Sequence, residues 1–373
     1  MTAKGRIKKV FSGSNTSAGF FSLFNNIAGR DARRVFIIKG GPGTGKSTLM
    51  KAVGEKMREK GYDIEHHYCS SDPGSLDALV IPTLKVAMLD GTAPHIVDPV
   101  IPGAVDEIVN LGEHWSEDVL ENHKEEIIGI RKRMRRHFDT AYSLLRESKV
   151  AYEEWSSYIS EAMDKTRYNK ITRILVDSIF ADKAREVRPE PNARHLFASA
   201  ITSRGIVDHL ETLLDNVMNL YTVKGEPGSG VKELIARIAQ EASERGFYTE
   251  QYHCPYEPDK LDMVIIPSIG TAVLNSSLPY HLDIKKLDQV RIIEEIDLNS
   301  CLRQQEIRQF DEELQDAKLR YNSLVAKAIR SLAKAMDIHA RLEQIYAEAM
   351  DFEQVSQVRD RVLAKILDYA KYT

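Results

Sequence analysis

The sequence predicts an α/β protein of two tandem domains, each a parallel sheet carrying a long helical, coiled-coil-like extension. Three observations predict it. The chain repeats itself at a fixed offset. Each copy opens with a β-branched run, a Gly-rich loop and an amphipathic helix, and each closes in a long apolar stripe of helical spacing. A chain of 373 residues can hold two domains with cores of their own.

The repeat is read by setting VFIIKGGPGTGKSTLMKAVGEKMREKGYDIEHHYCSSDPGSLDALVIPTLKVAMLDGTAP, from Val35, above LYTVKGEPGSGVKELIARIAQEASERGFYTEQYHCPYEPDKLDMVIIPSIGTAVLNSSLP, from Leu220. They align without a gap. Lys39 meets Lys224, Cys69 meets Cys254, Pro82 meets Pro267 and Pro94 meets Pro279, at a shift of 185 (224 − 39). A period that long means duplicated domains rather than a solenoid. FSGSNTSAG from Phe11 resembles FASAITSRG from Phe197, and the EAMD of Glu161 to Asp164 recurs at Glu348 to Asp351. The linker-like REVRPEPN around Pro189 and Pro191 divides the chain into 1–188 and 189–373.

Within each copy, Val35 to Ile38 and Tyr221 to Val223 read as strands that enter the Gly-rich loop. Helices follow on Leu49, Val53 and Met57, and on Leu234, Ile238 and Ala242, ending at Gly61 and Gly246. Further extended runs come at His66 to Cys69 and Val86 to Leu89, matched by Tyr252 to Cys254 and Ala272 to Leu274. Strands alternating with helices predict a parallel sheet covered on both faces. The long stripes run from Ile127 through Phe138, Leu145 and Tyr152 to Ile159, and from Ile307 through Leu314, Tyr321 and Ala328 to Ile345. Packing the two stripes on each other is the simplest way to bury both.

Composition narrows the class. The chain is 43% hydrophobic and 28% charged, as a folded domain is. A formal charge of −4 provides no global pull toward nucleic acid or anionic membrane. No apolar stretch is long enough to span a bilayer, so no membrane partner is expected. Cys69, Cys254 and Cys301, an odd count without zinc spacing, suit free thiols in a cytoplasmic protein.

The chemistry sits in Gly40-Gly-Pro-Gly-Thr-Gly45-Lys46-Ser47, which fits G-x-x-x-x-G-K-[ST] between a strand and a helix. Glycines let backbone N–H groups turn inward around a phosphate, and the helix that follows adds its positive end. Gly41, Pro42, Gly43, Thr44, Gly45, Lys46, Ser47 and Thr48 are the expected nucleotide contacts, with Lys46 on the β- and γ-phosphates. Asp90, closing the run Val86 to Asp90, is the expected partner of Ser47 in holding Mg²⁺. The second copy has Val231, Lys232 and Asn275 where the first has Lys46, Ser47 and Asp90, while Gly225, Pro227, Gly228 and Gly230 remain. Three requirements of one site are lost together there. The second loop keeps N–H groups for an anion and is expected to turn nothing over.

On these residues the first half resembles P-loop NTPases, and the whole chain resembles the poorly characterised bacterial tandem P-loop ATPase-like proteins. The resemblance implies ATP and Mg²⁺ as ligands, and an ATPase as the leading function. The alternatives are a small-molecule or nucleotide kinase using Asp72 as acid or base, and a scaffold that holds nucleotide without hydrolysing it. ATP is preferred to GTP because no N-K-x-D motif is evident, and no LSGGQ-like signature is present. Gly91 follows Asp90, so the catalytic base is unassigned. Besides nucleotide, a small-molecule or protein partner is expected.

Other residues have duller readings beside functional ones. Asp72 can simply close its own turn, as Glu257 can in the second copy. Asp77 and Asp262, present in both copies, read as fold residues. His95 and Asp98 follow the metal-side strand. His66, His67 and Cys69 alternate along a strand and read as core or edge residues rather than zinc ligands. Arg204, where the first copy has Ala18, is a surface arginine or a finger on the active site. Arg131, Lys132, Arg133, Arg135 and Arg136 form a solvated helix face or a nucleic-acid patch, and the missing aromatic platform favours the former.

Overall fold

The computed structural model describes residues 3–29, 31–92, 96–181, 183, 193–277 and 290–371. The linker around Pro189 and Pro191, the Pro94 and Pro279 match and His95 lie outside them. In the first half, a six-stranded sheet has the order β1 (Ile7–Phe11), β5 (Ile64–Tyr68), β6 (Leu76–Ile81), β7 (Val86–Asp90), β4 (Arg34–Lys39), β8 (Asp106–Asn110). The second half repeats it with β9 (Ala193–Leu196), β13 (Thr249–His253), β14 (Leu261–Ile266), β15 (Thr271–Asn275), β12 (Asn219–Lys224) and β16 (Arg291–Asp297). Two small antiparallel hairpins, β2 (Gly13–Thr16) with β3 (Gly19–Ser22) and β10 (Ser199–Thr202) with β11 (Gly205–Asp208), complete the pattern.

The α/β class and the tandem domains are as expected, but each sheet is mixed rather than wholly parallel. β6 runs antiparallel to β5 and β7, and β14 does the same between β13 and β15. The cause is connection length. A parallel neighbour needs a crossover of about a dozen residues, whereas β6 is reached through a tight turn at Asp72 to Ser75 and left through a 3₁₀ turn at Pro82–Leu84. That turn ends with left-handed Lys85, at φ 57°, matched by Gly270 at φ 59°. The remaining pairs, β1 with β5, β4 with β7 and β4 with β8, are parallel.

The long helices α3 (Lys124–Glu161) and α8 (Asp311–Ala349) run roughly 57 Å each at 1.5 Å per residue. They pack on each other, as expected, and run antiparallel. Ile130 meets Leu342 and Ile345, Ala141 and Leu145 meet Val325 and Ala328, and Ile159 meets Leu314. Arg320 to Glu154, at 2.6 Å, and Arg341 to Glu126, at 2.8 Å, cross the same seam.

The short helices that follow are exchanged. α4 (Lys165–Phe180) places Leu175, Ile179 and Phe180 in the core of the second sheet with α6 (Val231–Glu244). α9 (Phe352–Ala370) places Val355, Val358, Val362 and Ile366 in the core of the first sheet with α1 (Lys46–Glu59). The repeated EAMD makes this crossing. Asp164 caps α4 by accepting from Arg167 N at 3.0 Å, and Asp351 caps α9 by accepting from Glu353 N at 3.0 Å. Met163 bridges to Leu302 and Met350 to Trp115, two contacts related by the duplication with a shift of 187 (350 − 163). Phe11 and Phe197 exchange both backbone hydrogen bonds, each 2.9 Å. A residue paired with its own duplicate marks a pseudo-two-fold axis.

Candidate functional site

β4 carries the chain into the loop at Gly40, and α1 carries it out at Lys46. Gly43 (φ 72°) and Gly45 (φ 88°) are left-handed, a conformation that costs any residue with a Cβ. No side chain caps α1, so the N–H groups of its first turn face the loop. Buried Thr44 donates from Oγ1 to Gly41 O at 2.8 Å, bracing the turn. Lys46 is buried and donates to Gly40 O (2.9 Å) and Gly41 O (2.6 Å), with Asp90 Oδ2 at 3.5 Å. Ser47 Oγ accepts from Leu76 N at 2.9 Å. Asp90 Oδ1 accepts from Thr92 N at 2.9 Å, and Thr92 Oγ1 donates to Gly40 O at 2.8 Å, tying the strand end to the loop. Pro42 is half-buried at the bend, and Thr48 is exposed on the first turn of α1. The expected residues are thus brought together, and the donor set fits the expected ligands. Lys46 and the loop N–H groups suit phosphate, and the hard oxygens of Ser47 and Asp90 suit Mg²⁺.

Asp77 joins them. The β6–β7 register, with Ala78 opposite Leu89, sets Asp77 opposite Asp90. Burial, reinforced by the charge of Asp90, pushes the Asp77 carboxyl up to about 8. Burial also raises Asp90, against the pull of Lys46. Across the duplicate strands Asn275 Nδ2 donates to Asp262 Oδ1 at 2.8 Å. Asp262 therefore serves the fold, as expected, whereas Asp77 lies beside the site. The sequence signal was the change of Asp90 to Asn275 opposite an unchanged aspartate.

Asp72 closes its own turn. Its Oδ1 accepts from Gly74 N at 3.1 Å and its Oδ2 from Ser75 Oγ. Arg204 reaches across from the second half, its Nη2 3.6 Å from Asp72 Oδ1, and stays largely exposed. Asp98 pairs with Lys39 at 3.3 Å on the surface. His66 and His67 are buried, the former against Gly54 and the latter accepting from or donating to Ser12 Oγ through Nδ1 at 2.6 Å. Among the described residues no group of His, Cys, Asp or Glu could hold a metal ion as a three-ligand cluster, and the three cysteines are free. Arg131, Lys132, Arg133, Arg135 and Arg136 are all exposed.

The sequence reading missed the cover over the loop. The C-terminal end of α8 lies directly on it. A Cβ at Gly43 would stand 2.2 Å from Glu343 O, one at Gly41 2.5 Å from the Tyr346 ring, and one at Gly45 3.5 Å from Phe352. One turn back, His339 Nδ1 lies 3.7 Å from Glu343 Oε1. Burial lowers the His339 pKa, Glu343 and Asp72 oppose that, and Lys46 adds to it. The first loop is therefore roofed by the second half of the chain.

The second loop has the same backbone and different chemistry. Gly228 (φ 88°) and Gly230 (φ 90°) keep the turn, and a Cβ at Gly228 would stand 2.1 Å from Ser156 O of α3. Glu226, at the position of Gly41, accepts from Trp155 Nε1 at 2.8 Å and pairs with Lys318 at 2.9 Å. Lys232, at the position of Ser47, pairs with Glu257 at 2.6 Å and donates to Tyr152 Oη at 3.2 Å. Burial raises Glu257, but Lys232 and Lys149 outweigh it and hold the carboxyl at about 2. An anion at this loop would meet Glu226 and Glu257, so the structure gives no support to the expected anion cradle.

A family model described as Nephrocystin 3, N-terminal, matches residues 22–80. That span contains β4, the loop, α1 and β5, and marks a similarity over this segment alone. Comparisons with curated proteins and with solved structures gave no match. Among the described residues no helix is long and apolar enough to cross a membrane.

Proposed function

We propose that this chain binds a Mg-nucleotide, ATP in preference to GTP, at the single loop Gly40 to Ser47, hydrolyses it slowly, and uses the bound state to shift the packed α3–α8 pair. The observation that carries this reading is the meeting of Lys46 and Asp90, 3.5 Å apart, at a left-handed glycine loop roofed by α8. Phosphate in the loop would draw Lys46 from the carbonyls of Gly40 and Gly41, and Ser47 with Asp90 would hold the Mg²⁺ that neutralises the phosphate charge. Because Glu343 and Tyr346 rest on Gly43 and Gly41, movement of the loop bears directly on the helix pair. Both oxygens of Asp72 are engaged by its own turn, which favours hydrolysis over phosphotransfer through that residue.

The test is nucleotide binding and phosphate release, with ATP and GTP plus Mg²⁺, for the wild type, Lys46→Ala and Lys232→Ala. Lys46→Ala is expected to weaken binding by roughly 10- to 100-fold, the worth of a charge-assisted hydrogen bond or two. Lys232→Ala should bind as the wild type does. Equal binding by all three variants would remove the loop from the function.

A further inference from the structure

β7 offers no base to the first site, since Gly91 follows Asp90. The roof does. We propose that His339, supplied by the second half, takes the proton of the water that attacks bound nucleotide, with Glu343 as its positioning residue. This rests on the nucleotide reading above and adds a catalytic residue to it.

The pseudo-two-fold axis tells where this helix position reaches. His339 corresponds to Tyr152, by the same shift of 187 (339 − 152) that relates Met163 to Met350. The helices are seated alike, with Glu343 O over Gly43 and Ser156 O over Gly228. Tyr152 Oη lies 3.2 Å from Lys232 Nζ, and Lys232 stands at the position of Ser47. This helix position therefore reaches the place where the Lys232 ammonium meets Glu257, whose counterpart in the first half is Asp72, on the side of the loop that Ser47 faces. Two further observations agree. The charges of Asp72 and Lys46 both act on the His339 imidazole, the first raising and the second lowering its pKa. Its Nδ1 is buried without a hydrogen-bond partner, facing Glu343 Oε1 at 3.7 Å. In the second site a tyrosine, which burial keeps protonated, replaces the imidazole just where Lys232 and Asn275 replace Ser47 and Asp90.

In the step, the water oxygen bonds to the γ-phosphorus as the bond from that phosphorus to the β,γ-bridging oxygen breaks. The bridging oxygen leaves on ADP with the electron pair. The water proton passes to the His339 imidazole and is returned to solvent once phosphate departs.

The experiment uses the full chain. Fluorescent ATP-analogue binding, steady-state phosphate release and thermal melting are measured for the wild type, His339→Asn, His339→Gln, Glu343→Gln and Lys46→Ala. Both His339 variants should bind the analogue within about threefold of the wild type, melt with it, and lose roughly 10²- to 10⁴-fold in kcat. Glu343→Gln should lower kcat by roughly tenfold at unchanged KM, as loss of an orienting partner does. If either folded His339 variant releases phosphate at the wild-type rate, the assignment of His339 is overturned and the nucleotide reading stands. If the wild type neither binds nor hydrolyses nucleotide, both are overturned.

Discussion

The two loops share a backbone and differ in what their side chains do with charge. At the first, Lys46 is held by carbonyl oxygens that a phosphate can replace, and Asp90 waits beside it. At the second, Lys232 is locked to Glu257, and Glu226 to Trp155 and Lys318. The polar groups of the second loop are engaged by other side chains, Trp155 and Tyr152 of the first half among them, whereas those of the first loop meet mainly backbone.

The sharpest way to break this comparison is to remove each lysine and measure stability in urea. Lys232→Ala should cost about 3 kcal/mol, because it leaves the partly buried Glu257 carboxylate with one partner fewer. Lys46→Ala should cost about 1.5 kcal/mol, the low end for hydrogen bonds made by a charged group. Equal losses would mean that both loops are structural. A second test asks whether the shared backbone is truly equivalent. Gly43→Ala and Gly228→Ala each drive a methyl into a helix carbonyl at positive φ, and each should cost about 2 kcal/mol. A loss at only one of them would show that one roof is loose.

A third test is a slope with pH. Asp77 titrates at about 8 in the folded chain against 3.8 ordinarily, so between those values the folded state keeps a proton that the unfolded state has released. Its contribution to stability therefore fades as pH rises through that window. The stability of Asp77→Asn relative to the wild type should grow from pH 5 to pH 8, by less than the limit of about 1.4 kcal/mol per pH unit for one proton. A flat difference in urea melts would place Asp77 outside the influence of Asp90.

What the sequence shows and hides follows from range. The loop, Asp90 and the duplication are legible because spacing along the chain carries them. Strand β6 is hidden, because Asp77 interrupts its apolar run and its turn gives no hint of direction. The stripes on α3 and α8 reveal a seam, but no local pattern says that Leu175 belongs to the second sheet and Ile366 to the first. The repeated EAMD held that information as a helix cap at the crossing, readable only once both partners were placed. His339 and Glu343 are invisible to motif reading, since their relation to Lys46 is made by the exchange of halves.

That exchange also sets an order of synthesis. Ile366 closes the core that contains Leu49, 317 residues earlier (366 − 49). At roughly 5–20 residues per second, the nascent first sheet would wait about 15–60 s for the helix that seals it. Throughout that interval the part of the first core that α9 covers, and the glycine loop, would stand open. The first core is therefore completed only when α9 has been made.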